Sequence, residues 1–311
     1  MQTHRGHSFW FWLGWTGGLF LLFAALLWTA AWYTLKPSTA SAGFNGFGSG
    51  GNIAVVDLKG VILSADKTDT QLEKFANDDS VKAIILHIDS PGGGAAASQE
   101  IYHEVLRIRS HHKKRIVASI ESVGASGAYY IASATDRIYA NQASIVGSVG
   151  VIMEWVNYGD LLKWAKLKSV IIKAGALKDA GSPMRDLTPA ERAYLQGLTD
   201  NMHQQFIDDV ATGRKLPVQD IQQLATGQVW TGQQALPLHL IDQIGGFRVA
   251  LLETARRVGI HGEPSVVRPR VPHPGLLQLL VGANSKLSLP DPGEELQSLL
   301  EKSPGFYFLW Q

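Results

Sequence analysis

Residues 83–94 read Ala-Ile-Ile-Leu-His-Ile-Asp-Ser-Pro-Gly-Gly-Gly. The first six form a short, β-branched apolar run, the pattern of a strand buried on both faces of a sheet. Asp-Ser-Pro-Gly-Gly-Gly then turns the chain. Beyond it, Ala97, Ile101, Val105 and Ile108 keep one face of a helix over 95–109. The same alternation recurs on either side. Residues 53–58 (IAVVDL), 116–120 (IVASI) and 170–172 (VII) read as further strands. Residues 188–212 read as the strongest helix. Thr188 suits the N-cap, Pro189 the first turn and Glu191 a capping box. Leu195, Leu198, Met202, Phe206 and Val210 form its stripe, and Gly213 is expected to end it. Strands alternating with helices predict an α/β domain over 52–260 with a largely parallel sheet.

The segments outside that body read differently. Residues 8–35 contain no charge, and a bilayer core needs about 20 apolar residues. Trp10, Trp12 and Trp15 flank one end, and Trp28, Trp32 and Tyr33 the other, as in interfacial aromatic belts. Arg5 precedes the stretch, which favours a cytoplasmic N-terminus and an exported body. A cleaved signal peptide, cut near Ala40-Ser41-Ala42, is the alternative, although signal cores are usually shorter. Residues 1–36 thus read as tail and anchor, and 37–51 as a Gly/Ser-rich linker. Residues 261–311 are a Pro-rich tail, expected to be peripheral, in which 294–302 suits a short amphipathic helix.

Hydrophobic residues make up 45% and charged residues 18%, which fits a folded chain rather than a disordered one. Beyond residue 35, 27 bases balance 27 acids, which argues against a nucleic-acid partner. Cys is absent, so thiolate metal sites, Fe–S clusters and Cys nucleophiles are excluded.

Three constellations are left to carry chemistry. The glycine turn at 92–94 can aim backbone N–H groups at a phosphate or an oxyanion, or serve only as a tight turn. It has neither the P-loop nor the dinucleotide fingerprint. Ser126, in Gly124-Ala125-Ser126-Gly127-Ala128-Tyr129-Tyr130, follows the 116–120 strand. Placed at a helix N-terminus, it is a nucleophile or an N-cap. Of the ten His, none stands in a signature context, His87, His103, His203 and His239 included, and no H-E-x-x-H occurs. Lys178, after Ala174-Gly175-Ala176-Leu177, is an ordinary surface Lys or, where burial disfavours its charge, a base.

Together these segments resemble the signal peptide peptidase SppA family, the protease IV-like serine peptidases. The resemblance rests on residues 88–94, 124–132, Gly147-Ser148-Val149-Gly150-Val151-Ile152-Met153, 173–183 and 228–235, in order over about 52–260. It is to the short, single-domain, membrane-anchored form. Ala128 stands where a second Gly often follows the Ser, and the 175–178 run varies in its middle residues; neither removes a chemical group.

The resemblance implies a ClpP/crotonase-like fold and a Ser–Lys dyad. Ser126 would be the nucleophile and Lys178 the general base. Gly92, Gly93 and Gly127 would form the oxyanion hole, and Ser148 would support the lysine. It further implies no cofactor or metal, hydrophobic peptide substrates such as cleaved signal peptides, and a ring-shaped homo-oligomer. With the anchor, the expected place is the plasma (inner) membrane, single-pass, with the catalytic domain on the periplasmic or extracellular side. Two rivals remain: a crotonase-type acyl-CoA enzyme, which would need an acidic group and a nucleotide site, and a non-catalytic membrane scaffold.

Overall fold

A computed structural model describes residues 52–269 and the strand at 306–309. The segment 8–35, the 37–51 linker and the helix expected at 294–302 lie outside the described residues. Among the described residues no helix is long and apolar enough to cross a membrane.

In chain order the elements are β1 (Asn52–Lys59), α1 (Asp66–Ala76), β2 (Val81–Ser90), β3 (Gly92–Gly94), α2 (Ala95–His111), β4 (Arg115–Ala125) and α3 (Gly127–Ser133). There follow β5 (Arg137–Ala140), β6 (Ile145–Gly147), β7 (Ile152–Met153), α4 (Gly159–Trp164), α5 (Pro189–Arg214) and α6 (Val218–Leu224). The last are β8 (Val229–Thr231), α7 (Gly232–Ala235), β9 (Gln243–Ile244), α8 (Phe247–Arg257), β10 (Ser265–Val267) and β11 (Phe306–Leu309).

The main sheet runs β10-β1-β2-β4-β5-β9, all parallel, with β6 beside the end of β4 and β8 antiparallel to β6. Its strands alternate between two cores, as period-2 side chains must. Ala54, Val56, Ile84, Leu86, Ile116 and Ala118 face the larger core with residues of α1, α2, α3 and α5. Ile53, Val55, Ala83, Ile85 and Val117 face Ala250, Leu251 and Ala255 of α8. Each such Val or Ile contributes roughly 1.5–3 kcal/mol when fully removed from water, so the two-sided burial holds the sheet between its helix layers. The strands expected at 53–58, 83–88 and 116–120 and the mainly parallel sheet are as observed.

Two expectations are corrected. Residues 170–172 form no strand: they lie on an exposed arm, where no neighbouring strand satisfies their backbone. Gly213 does not end the long helix, since α5 continues to Arg214 and Lys215 takes the left-handed position. The glycine serves packing instead. A Cβ there would lie 2.3 Å from the Ser133 carbonyl oxygen, so its absence lets α5 close on the end of α3. The start of α5 is as read: Thr188 Oγ1 accepts the Glu191 N–H at 3.2 Å, and the Glu191 carboxylate accepts the Thr188 N–H at 2.8 Å. Beyond residue 260, β10 still joins the sheet beside β1.

Candidate active site

The three motif loops meet at the carboxyl ends of β2, β4 and β6. The register makes them neighbours: Ser90 pairs with Gly124, and Ala125 with Gly147. Parallel strands lie about 4.8 Å apart, so the residues just past them share one end of the sheet, where ligand sites in open α/β sheets form.

Short hydrogen bonds hold the glycine turn. Asp89 Oδ1 accepts the Val123 N–H at 3.2 Å, tying it to the strand that leads to Ser126. The buried Ser90 Oγ accepts the Gly92 N–H at 3.1 Å. Gly92 has φ +98°, a conformation L side chains rarely adopt. On its far edge the turn is gripped by Ile62, whose N–H donates to Gly92 O at 2.9 Å and whose carbonyl accepts the Gly94 N–H at 2.7 Å. The N–H groups of Gly92 and Gly94 are so engaged, and Gly93 is paired opposite Phe308 of β11. The N-terminus of α2 follows directly and adds positive potential.

Ser126 sits between β4 and α3 with φ 52° and ψ −121°. A non-glycine residue held there costs on the order of 1–3 kcal/mol, so the surroundings must enforce it. They do so on both sides of the residue. Its N–H donates to Gly147 O at 2.7 Å, and its carbonyl accepts the Tyr130 N–H at 2.8 Å. The helix behind it is buried throughout. The Tyr129 hydroxyl donates to Leu240 O at 2.8 Å, and the Tyr130 hydroxyl bonds the Asp209 carboxylate. Ser126 is the N-cap residue of α3, yet its side chain accepts no capping bond, so the capping alternative does not hold. Among the described residues its Oγ has no hydrogen-bond partner. The Gly127 N–H, in the first turn of α3, is one of the donors a helix start leaves free of intrahelical partners.

Ser148 repeats this geometry one strand over, with φ 54°, and its N–H donates to Gln228 O at 2.9 Å. The preceding Gly147 is packed against an indole: a Cβ there would lie 2.8 Å from Trp230. Residues 228–235 therefore buttress this loop. Ser148 borders a cavity of about 580 Å³ that also takes in Ile152, Gln196, Thr199, Asp200 and His203. His203 Nε2 is buried with no hydrogen-bond partner among the described residues. Asp200 and His203 had no motif to mark them. The signal they do carry is the polar 196, 199, 200, 203 spacing, one helix face beside the apolar stripe of α5.

Lys178 is placed differently from the serines. It is exposed, and among the described residues its side chain has no hydrogen-bond partner. The expectation that 174–177 would bury it is not met among the described residues, because that run is itself exposed. It rides on an arm from β7 to α5 that is closed at its base by charge. Asp179 and Glu191 both bind the Arg185 guanidinium, at 2.7 and 2.6 Å. The Arg185 hydrogen bonds are the main reason the Glu191 carboxyl is pulled down to about 2. Outside that base the arm exposes apolar side chains, Trp164 at 81% and Ile172 at 98%.

Among the described residues no three His, Asp or Glu side chains converge as metal ligands.

The sequence model of Peptidase family S49 matches residues 108–261, which include Ser126, Ser148 and Lys178. A Synechocystis sp. chain named as a protease is 35% identical over 236 residues, covering 76% of this chain and 84% of that one. A chloroplastic serine protease SPPA of Arabidopsis thaliana is 28% identical over 77% of this chain and 36% of its own. Protease 4 of Haemophilus influenzae is 29% identical over 69% of this chain and 36% of its own. With the strand-end serine, the glycine turn and these matches together, the chain belongs to peptidase family S49, the SppA-like serine peptidases.

Proposed function

We propose that the chain is a membrane-anchored endopeptidase of ClpP/crotonase-like fold that cleaves hydrophobic peptides, cleaved signal peptides among them, with Ser126 and Lys178 as its dyad. The observation that carries the reading is Ser126 itself: a buried serine in a strained strand-to-helix turn, uncapped, beside a rigid glycine turn. Strained backbone clusters at active sites, where the strain is part of the mechanism, and this supports the reading.

In this reading Ser126 Oγ attacks the scissile carbonyl carbon and its proton passes to the Lys178 amine. The oxyanion that forms is met by the N–H groups of Gly93 and Gly127. On collapse the C–N bond breaks, the leaving amine takes the proton from Lys178, and water then hydrolyses the acyl ester on Ser126. Ser148 would orient the lysine.

A lysine serves as a base only where water is kept from it. The exposed arm supports a ring-shaped homo-oligomer, in which a neighbouring copy covers Trp164 and Ile172 and encloses Lys178. The charge-free stretch 8–35 and the linker would tether that ring to the plasma (inner) membrane, with the catalytic domain on the exported side.

The test is labelling by a serine-directed acylating inhibitor, with the modified residue located by mass spectrometry. The expected result is one acyl group on Ser126, lost in Ser126→Ala. In a fluorogenic peptide assay, Lys178→Arg, which keeps the cation but cannot yield a base, falls as far as Lys178→Ala, about 10²–10⁴-fold or more. An unlabelled Ser126 in a chain that still cleaves peptides would overturn the assignment.

A further inference from the structure

The peptide joining Gly147 to Ser148 hangs between two neighbouring segments by both of its polar groups. Its carbonyl, on Gly147, accepts the Ser126 N–H at 2.7 Å, and its N–H, on Ser148, donates to Gln228 O at 2.9 Å. A trans peptide is planar, so these two groups point in opposite directions and turn together. The register explains the placement: Gly147 pairs with Ala125 of β4 on one side and with Val229 of β8 on the other. Rotating this one peptide would break both bonds and release Ser126 from its φ of 52°.

Intrinsic backbone preference does not hold the peptide there. Gly147 has φ +93° and Ser148 φ 54°, so two successive residues take positive φ, where glycine is free and a serine is strained. The hold comes from Trp230. A Cβ on Gly147 would lie 2.8 and 3.1 Å from two ring atoms of that indole, so the ring fills the space in which another residue would carry its side chain. The indole is buried, and its backbone is fixed on both flanks. Before it, the Gly227 N–H donates to Val149 O at 3.1 Å. After it, Thr231 closes a capping box with Gln234, and the Gly232 N–H donates to Ser144 O at 2.8 Å. Trp230 is therefore a fixed wall against the most pliable residue in the path to Ser126.

We infer that Trp230 is a positioning residue for Ser126: its indole confines Gly147, Gly147 orients the shared peptide, and that peptide holds Ser126 in its strained turn. The inference rests on the peptidase reading above for the reaction, and on packing and hydrogen bonds alone for the coupling.

Two substitutions separate the ring from mere bulk. Trp230→Leu keeps an apolar side chain and removes the ring, and Trp230→Phe restores a ring. On a fluorogenic peptide, Trp230→Leu should lower kcat by about 10²-fold, the scale of a misplacement of about 1 Å, with KM within about threefold of wild type. Trp230→Phe should recover at least about tenfold of that loss. Circular dichroism and Tm, read in parallel, confine the comparison to folded protein. Amide hydrogen exchange gives a readout independent of turnover. In Trp230→Leu the Ser126 N–H should gain at least about tenfold in exchange rate over that of Ile85, a sheet-core amide that reports global unfolding. Wild-type kcat in folded Trp230→Leu, or no such gain at Ser126, would overturn the inference, as would a Trp230→Phe that falls as far as Trp230→Leu. If the leucine variant does not fold, Gly147→Ala, which presses on the ring from the other side, takes its place with the same expected losses. If no form cleaves any peptide, the peptidase reading fails instead, and exchange at Ser126 alone decides the coupling: a gain supports it, and an unchanged rate overturns it.

Discussion

Gly93→Ala adds one methyl group to the glycine turn, at the point where Ile62 crosses it. The new Cβ would lie 2.1 Å from Ile62 O, 2.5 Å from its N and 2.7 Å from its C, all backbone atoms. Real Cβ atoms essentially never come within 3.0 Å of such neighbours, so the two segments must part by about 0.9 Å. The bonds from Ile62 N–H to Gly92 O and from Gly94 N–H to Ile62 O, at 2.9 and 2.7 Å, are the ones that stretch. Their loss costs about 1–3 kcal/mol in total. At about 2–4 °C per kcal/mol for a domain of this size, Tm falls by roughly 2–12 °C. The effect on rate is larger. A displacement of about 1 Å near a reacting centre can cost on the order of 10²-fold, and loss of one oxyanion donor about 10²–10³-fold. Gly94→Ala is the control, because its Cβ would meet nothing closer than Ile62 O at 3.6 Å and its φ of −57° suits alanine. The assay is kcat on a fluorogenic peptide with Tm measured in parallel. Gly93→Ala should lose at least about 100-fold in kcat while still folded, and Gly94→Ala should stay within a few-fold of wild type. Equal, near-wild-type kcat in both would refute the claim that Ile62 holds the turn in a catalytic geometry.

Gly213→Ala sets two effects against each other. Alanine gains about 1 kcal/mol of helix propensity, but its Cβ would lie 2.3 Å from Ser133 O, and overpacking typically costs about 1–3 kcal/mol. We expect a net fall in Tm, and a rise would show that α5 and α3 can separate without cost. Asp69 lies among Glu104, Glu100 and Asp66, and burial, with those charges second, raises its carboxyl to about 7. A raised folded value means stability that is present below the ordinary 3.8 and lost as pH rises through about 7. Asp69→Asn should therefore raise Tm at pH 8 and leave it unchanged near pH 3. The full shift would be worth about 4 kcal/mol, and the side chain's partial exposure reduces this to about 1–2 kcal/mol. A Tm gain that is the same at both pH values would refute the linkage.

Features that depend on a few consecutive residues were legible in the chain itself. The apolar runs at 53–58, 83–88 and 116–120 have to be buried on both faces, and they are. The Thr188 capping box works because four residues close it locally. The small residues around Ser126 announced a tight strand-to-helix turn, and one is found. β6, β7, β8 and β9 are only two or three residues long, too short to show a period, and none could be read.

What remained depends on partners distant in sequence. Gly213 looked like a helix stop because glycine favours one, but the carbonyl of Ser133, on another helix, decides its role. Whether the Ser126 side chain caps α3 is decided by its φ and ψ, which the Gly147 carbonyl and a buried helix enforce. Small apolar neighbours suggested burial for Lys178, but burial belongs to whatever packs against a segment, and among the described residues nothing covers that arm. The apolar tetrapeptide at 306–309 carries no local sign of its place. A strand is positioned by an unpaired edge, and the edge it meets is that of Gly92–Gly94, whose other side Ile62 occupies.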